Sequence, residues 1–286
     1  MILITGASGN VGTELVKILT ARGVALRAMV RSPEAAQKIE ARAGVEIVAG
    51  DFNDAATIAR ALAGIDRAFL LTPSSEQAEA QQSAFVDVAR RAGVQHLVKL
   101  SQWAAALDSP VRFLRYHAAV EHTIRASGLP YTFLRPNLFM QGFLGFRTSI
   151  IAQGSFFAAA GEAKISVIDV RDIAAVAAVA LTEPGHAGRI YDLTGPEALT
   201  HSEMAAWLSA ALGRRVDFVD VSPDAMRGAL IGIGLPAWQV EGLLEDYAHY
   251  RCGEASAVAS GVQDVTGHAP RSFADFARDY VPAFSG

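Results

Sequence analysis

The chain contains a single cysteine, Cys252, in 286 residues. That excludes an internal disulfide and a multi-cysteine zinc site. Charge is sparse as well, at 19% of residues, while the 51% hydrophobic content is that of an ordinary globular protein, not a disordered one. Neither sign of charge dominates. A formal net charge of −4 leaves no basic footprint for nucleic acid or an anionic membrane surface. Long apolar runs are missing too. Ile173–Leu181 spans nine uncharged residues and Gly228–Trp238 eleven, short of the roughly 17–25 that a membrane helix needs. A strand that begins at Met1 predicts no signal peptide, and the expected location is cytoplasmic. There is no internal repeat and no low-complexity linker.

The clearest pattern is at the start. Met1 to Thr5 (MILIT) reads as a short buried strand, and Thr13–Arg22 reads as a helix with Leu15, Ile18 and Leu19 on one face. Between them lies Gly6-Ala7-Ser8-Gly9-Asn10-Val11-Gly12. Strand, glycine turn and helix in that order form the opening unit of a dinucleotide-binding fold. Gly6 permits a sharp exit from the strand, Gly9 a close approach of backbone N–H groups to a pyrophosphate, and Gly12 close packing of helix on sheet. The helix N-terminus adds unpaired N–H groups and partial positive charge. The simpler alternative is a tight structural turn.

Further strands are predicted at 24–30, 45–49, 67–71, 96–100 and 131–134. Helices are predicted to start at Ser32-Pro33 and to cover 57–63, 76–92 and 111–126, the last N-capped by Asp108 or Ser109. The alternation argues for an α/β fold, a Rossmann-type doubly wound parallel sheet. Beyond Pro136 the pattern loosens. Residues 138–151 look helical, 154–160 form a glycine-bounded apolar loop, and 166–170 return to the sheet. Asp169 and Asp172 open a helix over 173–181. A strand at 189–193, a capping box at Thr200–Glu203, a strand at 216–221 and a helix capped by Ser222-Pro223 follow. The expected division is a dinucleotide-binding domain at 1–136, with 165–195 returning to it. Residues 137–164 and 196–286 would form a smaller C-terminal α/β substrate lobe.

Gly6, Gly9, Gly12, Arg31, Gly50-Asp51-Phe52, Leu70–Pro73, Tyr131–Pro136 and Asp169–Asp172 stand in an order that resembles the NmrA-like group of atypical short-chain dehydrogenases/reductases. Within the group the likeness is greatest to bacterial NAD(P)H-dependent quinone reductases and triphenylmethane reductases. It covers nearly the full length, including Leu193–Thr200 and Val265–Pro270. The resemblance implies that Asp51 accepts from the adenine amine, that Phe52 borders the ring, and that Leu71, Thr72 and Pro73 pass the nicotinamide ribose. Pro136 and Asn137, at the end of a strand, join the expected cofactor contacts. An N-cap role for Asp51 and a core role for Phe52 are the alternatives. NAD-binding members of this fold place a carboxylate about 20 residues after the glycines. Here, nineteen after Gly12, stands Arg31, with no carboxylate between Val24 and Pro33. Arginine can bind a 2′-phosphate by charge-assisted bonds, so NADPH is favoured over NADH. A solvated surface arginine is the alternative.

Typical short-chain dehydrogenases carry Tyr-x-x-x-Lys, and the extended branch adds a glutamate four residues later. His117-Ala-Ala-Val-Glu121 matches the Lys-x-x-x-Glu stretch, which puts His117 at the lysine and Phe113 at the tyrosine. A phenyl ring cannot donate a proton. One reading is a reductase whose acceptor needs little proton donation: a quinone gives a phenolate-like anion with a conjugate-acid pKa of about 10, far below that of an alkoxide. His117, Tyr116 and Ser101 are then the candidate catalytic residues, with Ser101 and His117 also near the cofactor. His117 could instead be scaffold, and Tyr116 could point away. The other reading is a non-catalytic NAD(P)-binding redox sensor or regulator acting through a protein partner. His117, Glu121 and His122 lack a third aligned ligand, so no metal is expected. The expected partner is a small aromatic or quinone-like substrate, and a homodimer is the assembly considered. Phe139–Phe146 with Phe156-Phe157 could wall the acceptor pocket or form core. Met226–Trp238 could be a mobile flap or a packed helix.

Overall fold

The computed structural model describes residues 1–37, 39 and 44–285. Its strands are β1 (Ile2–Ile4), β2 (Leu26–Val30), β3 (Val45–Ala49), β4 (Arg67–Leu70), β5 (His96–Leu100), β6 (Tyr131–Pro136), β7 (Ser155–Ala158), β8 (Arg189–Leu193) and β9 (Asp217–Asp220). Seven of them form one parallel sheet in the order β3-β2-β1-β4-β5-β6-β8. The helices are α1 (Asn10–Ala21), α2 (Pro33–Gln37), α3 (Ala55–Leu62), α4 (Ala78–Arg91), α5 (Arg112–Ser127), α6 (Arg147–Gln153), α7 (Val170–Thr182), α8 (His201–Leu212), α9 (Pro223–Gly232), α10 (Ala237–Arg251), α11 (Gly261–Thr266), α12 (Phe273–Asp279) and α13 (Val281–Phe284).

Strand alternation assigns the layers. Ile2 and Ile4 face one side, where Leu15 and Leu19 of α1 and Ile173 and Ala177 of α7 cover them. Leu3 faces the other, beneath Ile58 of α3, Phe85 of α4 and Val120 of α5. Each such fully buried apolar side chain contributes about 1.5–3 kcal/mol. The chain leaves β1 toward β2 and β3 on one side and returns to β4 on the other. That reversal opens a crevice beyond the carboxyl ends of β1 and β4.

The second half departs from the sequence expectations in several places. The 154–160 loop contains β7, which pairs in parallel with β9 as a separate two-stranded sheet. Phe156 and Ala158 are fully buried, a two-residue alternation too short to stand out among neighbouring alanines. Residues 166–170 do not rejoin the main sheet. Ile165 and Ile168 make only isolated bridges, to Leu199 and Phe139, and β8 takes the place beside β6. The 138–151 stretch begins as a 3₁₀ turn, Met140–Phe146, before α6. Phe143 and Phe156 are core, in edge-to-face contact with each other, and Phe143 also meets Phe273 edge-on, so these two rings are not pocket walls. Met226–Trp238 is the end of α9, a turn at Gly234, and the start of α10.

The start of α5 and the packing of α11 also differ from expectation. Neither Asp108 nor Ser109 caps α5 at its first residue; Val111 stands there, and Glu245 of α10 accepts the Arg112 N–H at 2.8 Å instead. The α11 segment, expected in the smaller lobe, packs Val262 into the core of the main sheet. Among the described residues no helix is long and apolar enough to cross a membrane.

Candidate active site and cofactor cleft

A cleft of ≈ 710 Å³ opens at the sheet reversal. Its lining contains Gly6, Ser8, Gly9, Arg31, Asp51, Phe52, Leu71, Thr72 and Pro73, nine of the residues singled out from sequence, and adds Met29, Val30, Ser32, Ala35, Asn53 and Gln81. Ala7 and Val11 are buried behind the turn, and Asn10 is exposed at the start of α1.

The glycine turn is built for an anion. Gly6 adopts φ +63°, a conformation costly for any residue with a Cβ. A Cβ on Gly12 would lie 2.2 Å from the Gly6 carbonyl oxygen, so α1 can approach the turn only with glycine there. Gly9 caps α1 without a side-chain hydrogen bond. The N–H groups of Asn10, Val11 and Gly12 have no acceptor among the described residues, and they carry the positive end of the helix dipole. Free amides at a helix start beside a cleft fit the phosphates of a dinucleotide. Asp51 accepts from the Asn53 N–H at 2.9 Å rather than capping α3, which Asp54 does. Phe52 is half-buried, its ring 5.7 Å from that of Phe85.

The residues expected to do chemistry, Ser101, Tyr116 and His117, lie outside the lining of this cleft and are tied to it through the segment that follows Pro73. Gln82 holds Thr72 Oγ1 at 2.8 Å. Two residues on, Ser74 Oγ lies 2.9 Å from the Tyr116 hydroxyl. The Tyr116 ring lies against His117, with centroids 4.1 Å apart and planes tilted by 30°. The two rings are thus in contact, although the residues are neighbours on one helix. Burial raises its phenol well above the ordinary value, with the Ser74 hydrogen bond working in the other direction. His117 is buried, and its Nδ1 lies 2.7 Å from Nζ of Lys99. Burial holds the imidazole well below its usual pKa, and the Lys99 charge lowers it further.

Lys99 was not among the sequence candidates. It sits on β5, fully buried, and its ammonium also donates to the Leu100 carbonyl at 3.0 Å. Burial pushes it down to about 7, against the pull of the Glu121 carboxylate and with the repulsion of Arg135. The signal was present in His96-Leu-Val-Lys-Leu100: a lysine in a strand covered on both faces must find a partner. Asp246 of α10 was missed as well. Its buried carboxyl is pushed up to about 7 by desolvation and accepts from Gln102 Nε2 at 3.3 Å on both oxygens.

Two expected site residues are otherwise engaged. Ser101 donates its hydroxyl proton to Glu121 at 2.6 Å, and Glu121 is clamped by Arg135 and Arg125. That proton is committed to a buried ion-pair network, which removes Ser101 as a donor to substrate. Asn137 donates to Ser166 Oγ and to the Ala255 carbonyl, both at 2.9 Å, and accepts from the Leu138 N–H. Its side-chain amide thus ties protein segments together, and Pro136 closes β6 with its carbonyl bonded to the Trp103 N–H. Phe113 is buried among Val111, Leu114 and Trp238. No cluster of metal-binding side chains occurs among the described residues.

Comparison with known proteins gives a consistent picture. The chain is 38% identical over 284 residues to an NAD(P)H azoreductase of Xenophilus azovorans, covering 99% of each chain. It superposes on the NADPH complex of the Escherichia coli quinone oxidoreductase QOR2 with a TM-score of 0.87 and 28% identity, covering 98% of this chain and 99% of that one. The NADP(H) complex of Citrobacter sp. triphenylmethane reductase gives a TM-score of 0.86 at 28% identity, covering 98% and 100%. The NmrA-like family matches residues 1–258. With its doubly wound sheet, its glycine turn and this match over most of its length, the chain belongs to the NmrA-like family.

Proposed function

We propose that this protein is an NADPH-dependent oxidoreductase that reduces a quinone or a similar conjugated aromatic acceptor. The observation that carries the reading is the fate of position 113. The ring that stands where a short-chain dehydrogenase keeps its tyrosine is a phenylalanine sealed against Trp238 and Gly242. An acceptor that becomes a weakly basic anion tolerates that loss; a simple ketone does not. The activities named for the azoreductase, quinone oxidoreductase and triphenylmethane reductase relatives fall in this class.

A reduced nicotinamide cofactor supplies a hydride when bound. The chain's own residues hold it in place. The amides at the start of α1 bind the phosphates, Asp51 and Phe52 border the adenine, and Thr72 and Pro73 flank the ribose toward His117. Arg31 and Ser32 line the cleft where a 2′-phosphate would reach, with no carboxylate on that strand end. This favours NADPH over NADH. Residues 137–164 and most of 196–286 serve as the substrate lobe. A cytoplasmic setting is part of the proposal.

The test is NADPH oxidation with a panel of quinones and cationic dyes, alongside a direct binding measurement. Reduction of at least one class of acceptor is expected. Tight NADP(H) binding with no acceptor reduced would return the chain to the regulator class.

A further inference from the structure

We propose that Lys99 is a positioning residue that fixes the tautomer of His117 and resupplies its proton, so that His117 Nε2–H protonates the reduced acceptor. The inference rests on the reductase reading above. It replaces the missing tyrosine with a pair assembled from β5 and α5.

The geometry is specific. The Lys99 ammonium can only donate, and it lies 2.7 Å from Nδ1 of His117. While Lys99 is charged, Nδ1 accepts, which leaves the ring proton on Nε2. Nε2 has no hydrogen-bond partner among the described residues, yet it is not one of the fully enclosed, unpartnered ring nitrogens, which are His201 Nδ1 and His249 Nε2. It therefore retains an open side. Tyr116 lies tilted against the same ring and reaches Ser74, next to Pro73 of the cleft lining. The groups that face the Lys99 amine are His117 and Glu121 from α5 and Arg135 from β6; Asp246 of α10 acts on Tyr116 instead. An ammonium held to a pKa of about 7 in this setting is a far better acid than an ordinary lysine.

The protons and charges balance. A quinone that has accepted a hydride carries an oxyanion. Nε2–H gives its proton to that oxygen as Nδ1 takes one from Lys99, which leaves a neutral amine and the opposite tautomer. In the reset Nδ1–H returns its proton to the buried Lys99 amine while Nε2, on its open side, takes one from water and leaves hydroxide. A triphenylmethane cation makes a different demand. Hydride addition to its central carbon gives a neutral product, and no proton is needed.

That contrast provides the test. Lys99→Met keeps an unbranched apolar stem as far as Cε, with sulfur in place of one methylene, and removes the amine. It is expected to lower kcat for a quinone by at least about tenfold, the modest side of general-acid effects, while a triphenylmethane dye is reduced as by the wild type. In the wild type, quinone turnover is expected to fall as pH rises through about 7 while dye turnover does not. A third readout needs no turnover. Nitrogen-15 NMR of the cofactor-free wild type is expected to show His117 as the Nε2–H tautomer, and Lys99→Met is expected to lose that preference. Equal losses with both acceptors, a quinone profile flat through pH 7, or an Nδ1–H tautomer in the wild type would each overturn the assignment. Failure of the wild type to reduce either acceptor would overturn the reductase reading and this inference with it.

Discussion

Phe113 presses the tip of its ring onto the bare backbone of Gly242, where a Cβ would lie 2.3 Å from Cζ and 2.4 Å from Cε1. This contact explains how α5 and α10 pack so closely, with Arg112 and Glu245 paired beside it at 2.6 Å. Position 113 is also the one that the resemblance to short-chain dehydrogenases assigns to a tyrosine. A hydroxyl on Cζ would run into the helix backbone, not into the cleft.

Gly242→Ala is therefore expected to destabilise the protein by about 1–3 kcal/mol, as overpacking of a filled site does. Phe113→Tyr is expected to destabilise as well, without any gain in carbonyl reduction. Urea unfolding and an assay with a simple ketone check the two points. A stable Phe113→Tyr variant that reduces ketones would contradict the packing argument.

The sequence made the first half of the fold legible because its signals are local. Gly6, Gly9 and Gly12 sit between a strand and a helix, and the strands at 45–49 and 96–100 have the predicted limits. The site's chemistry was less legible because it depends on pairs far apart in the chain. Lys99 meets His117 across eighteen residues, and Asp246 meets Gln102 across 144. Ser101 and Asn137 show the opposite case. Both residue types suit a cofactor site, and only the fold reveals that Glu121, Ser166 and Ala255 already engage them. The phenylalanines of the second lobe left two readings open because a pocket wall and a core have the same composition.

Within the turn, Gly12 and Gly9 are expected to separate. A Cβ on Gly12 meets the fixed Gly6 carbonyl at 2.2 Å, whereas one on Gly9 meets the same oxygen only at 3.3 Å. Gly12→Ala should lower the melting temperature of the cofactor-free protein. Gly9→Ala should leave that temperature nearly intact and reduce the stabilisation gained on adding NADPH, because its methyl projects where the phosphates approach. Thermal melts with and without NADPH distinguish them, and identical behaviour of the two variants would refute the distinction.

Arg31→Ala tests the cofactor preference. Hydrogen bonds to charged groups contribute about 1.5–3 kcal/mol. The Kd for NADPH is thus expected to rise roughly ten- to hundredfold, with NADH almost unaffected because it lacks the 2′-phosphate. Fluorescence titration with both nucleotides measures this. Parallel weakening of the two would mean that Arg31 acts on a part of the cofactor they share.

His201 makes the second lobe sensitive to acid. It is enclosed by Phe143, Phe156, Phe218 and Tyr247, and its Nδ1 has no partner. Burial lowers its pKa to about 4 in the folded protein, from 6.5 when unfolded. Between those values the unfolded chain binds the proton and the native state does not, so stability falls as pH drops from about 6.5 toward 4. At 1.36 kcal/mol per unit the full loss from this residue is about 3 kcal/mol. His96, buried against Thr132 and likewise lowered to about 4, acts in the same direction. The background slope therefore persists when His201 is replaced, and the difference between proteins isolates it. Urea unfolding across this range is expected to show a steeper decline for the wild type than for His201→Phe, which keeps an aromatic ring in the cage and removes the titrating nitrogens. Parallel declines would place the acid sensitivity elsewhere.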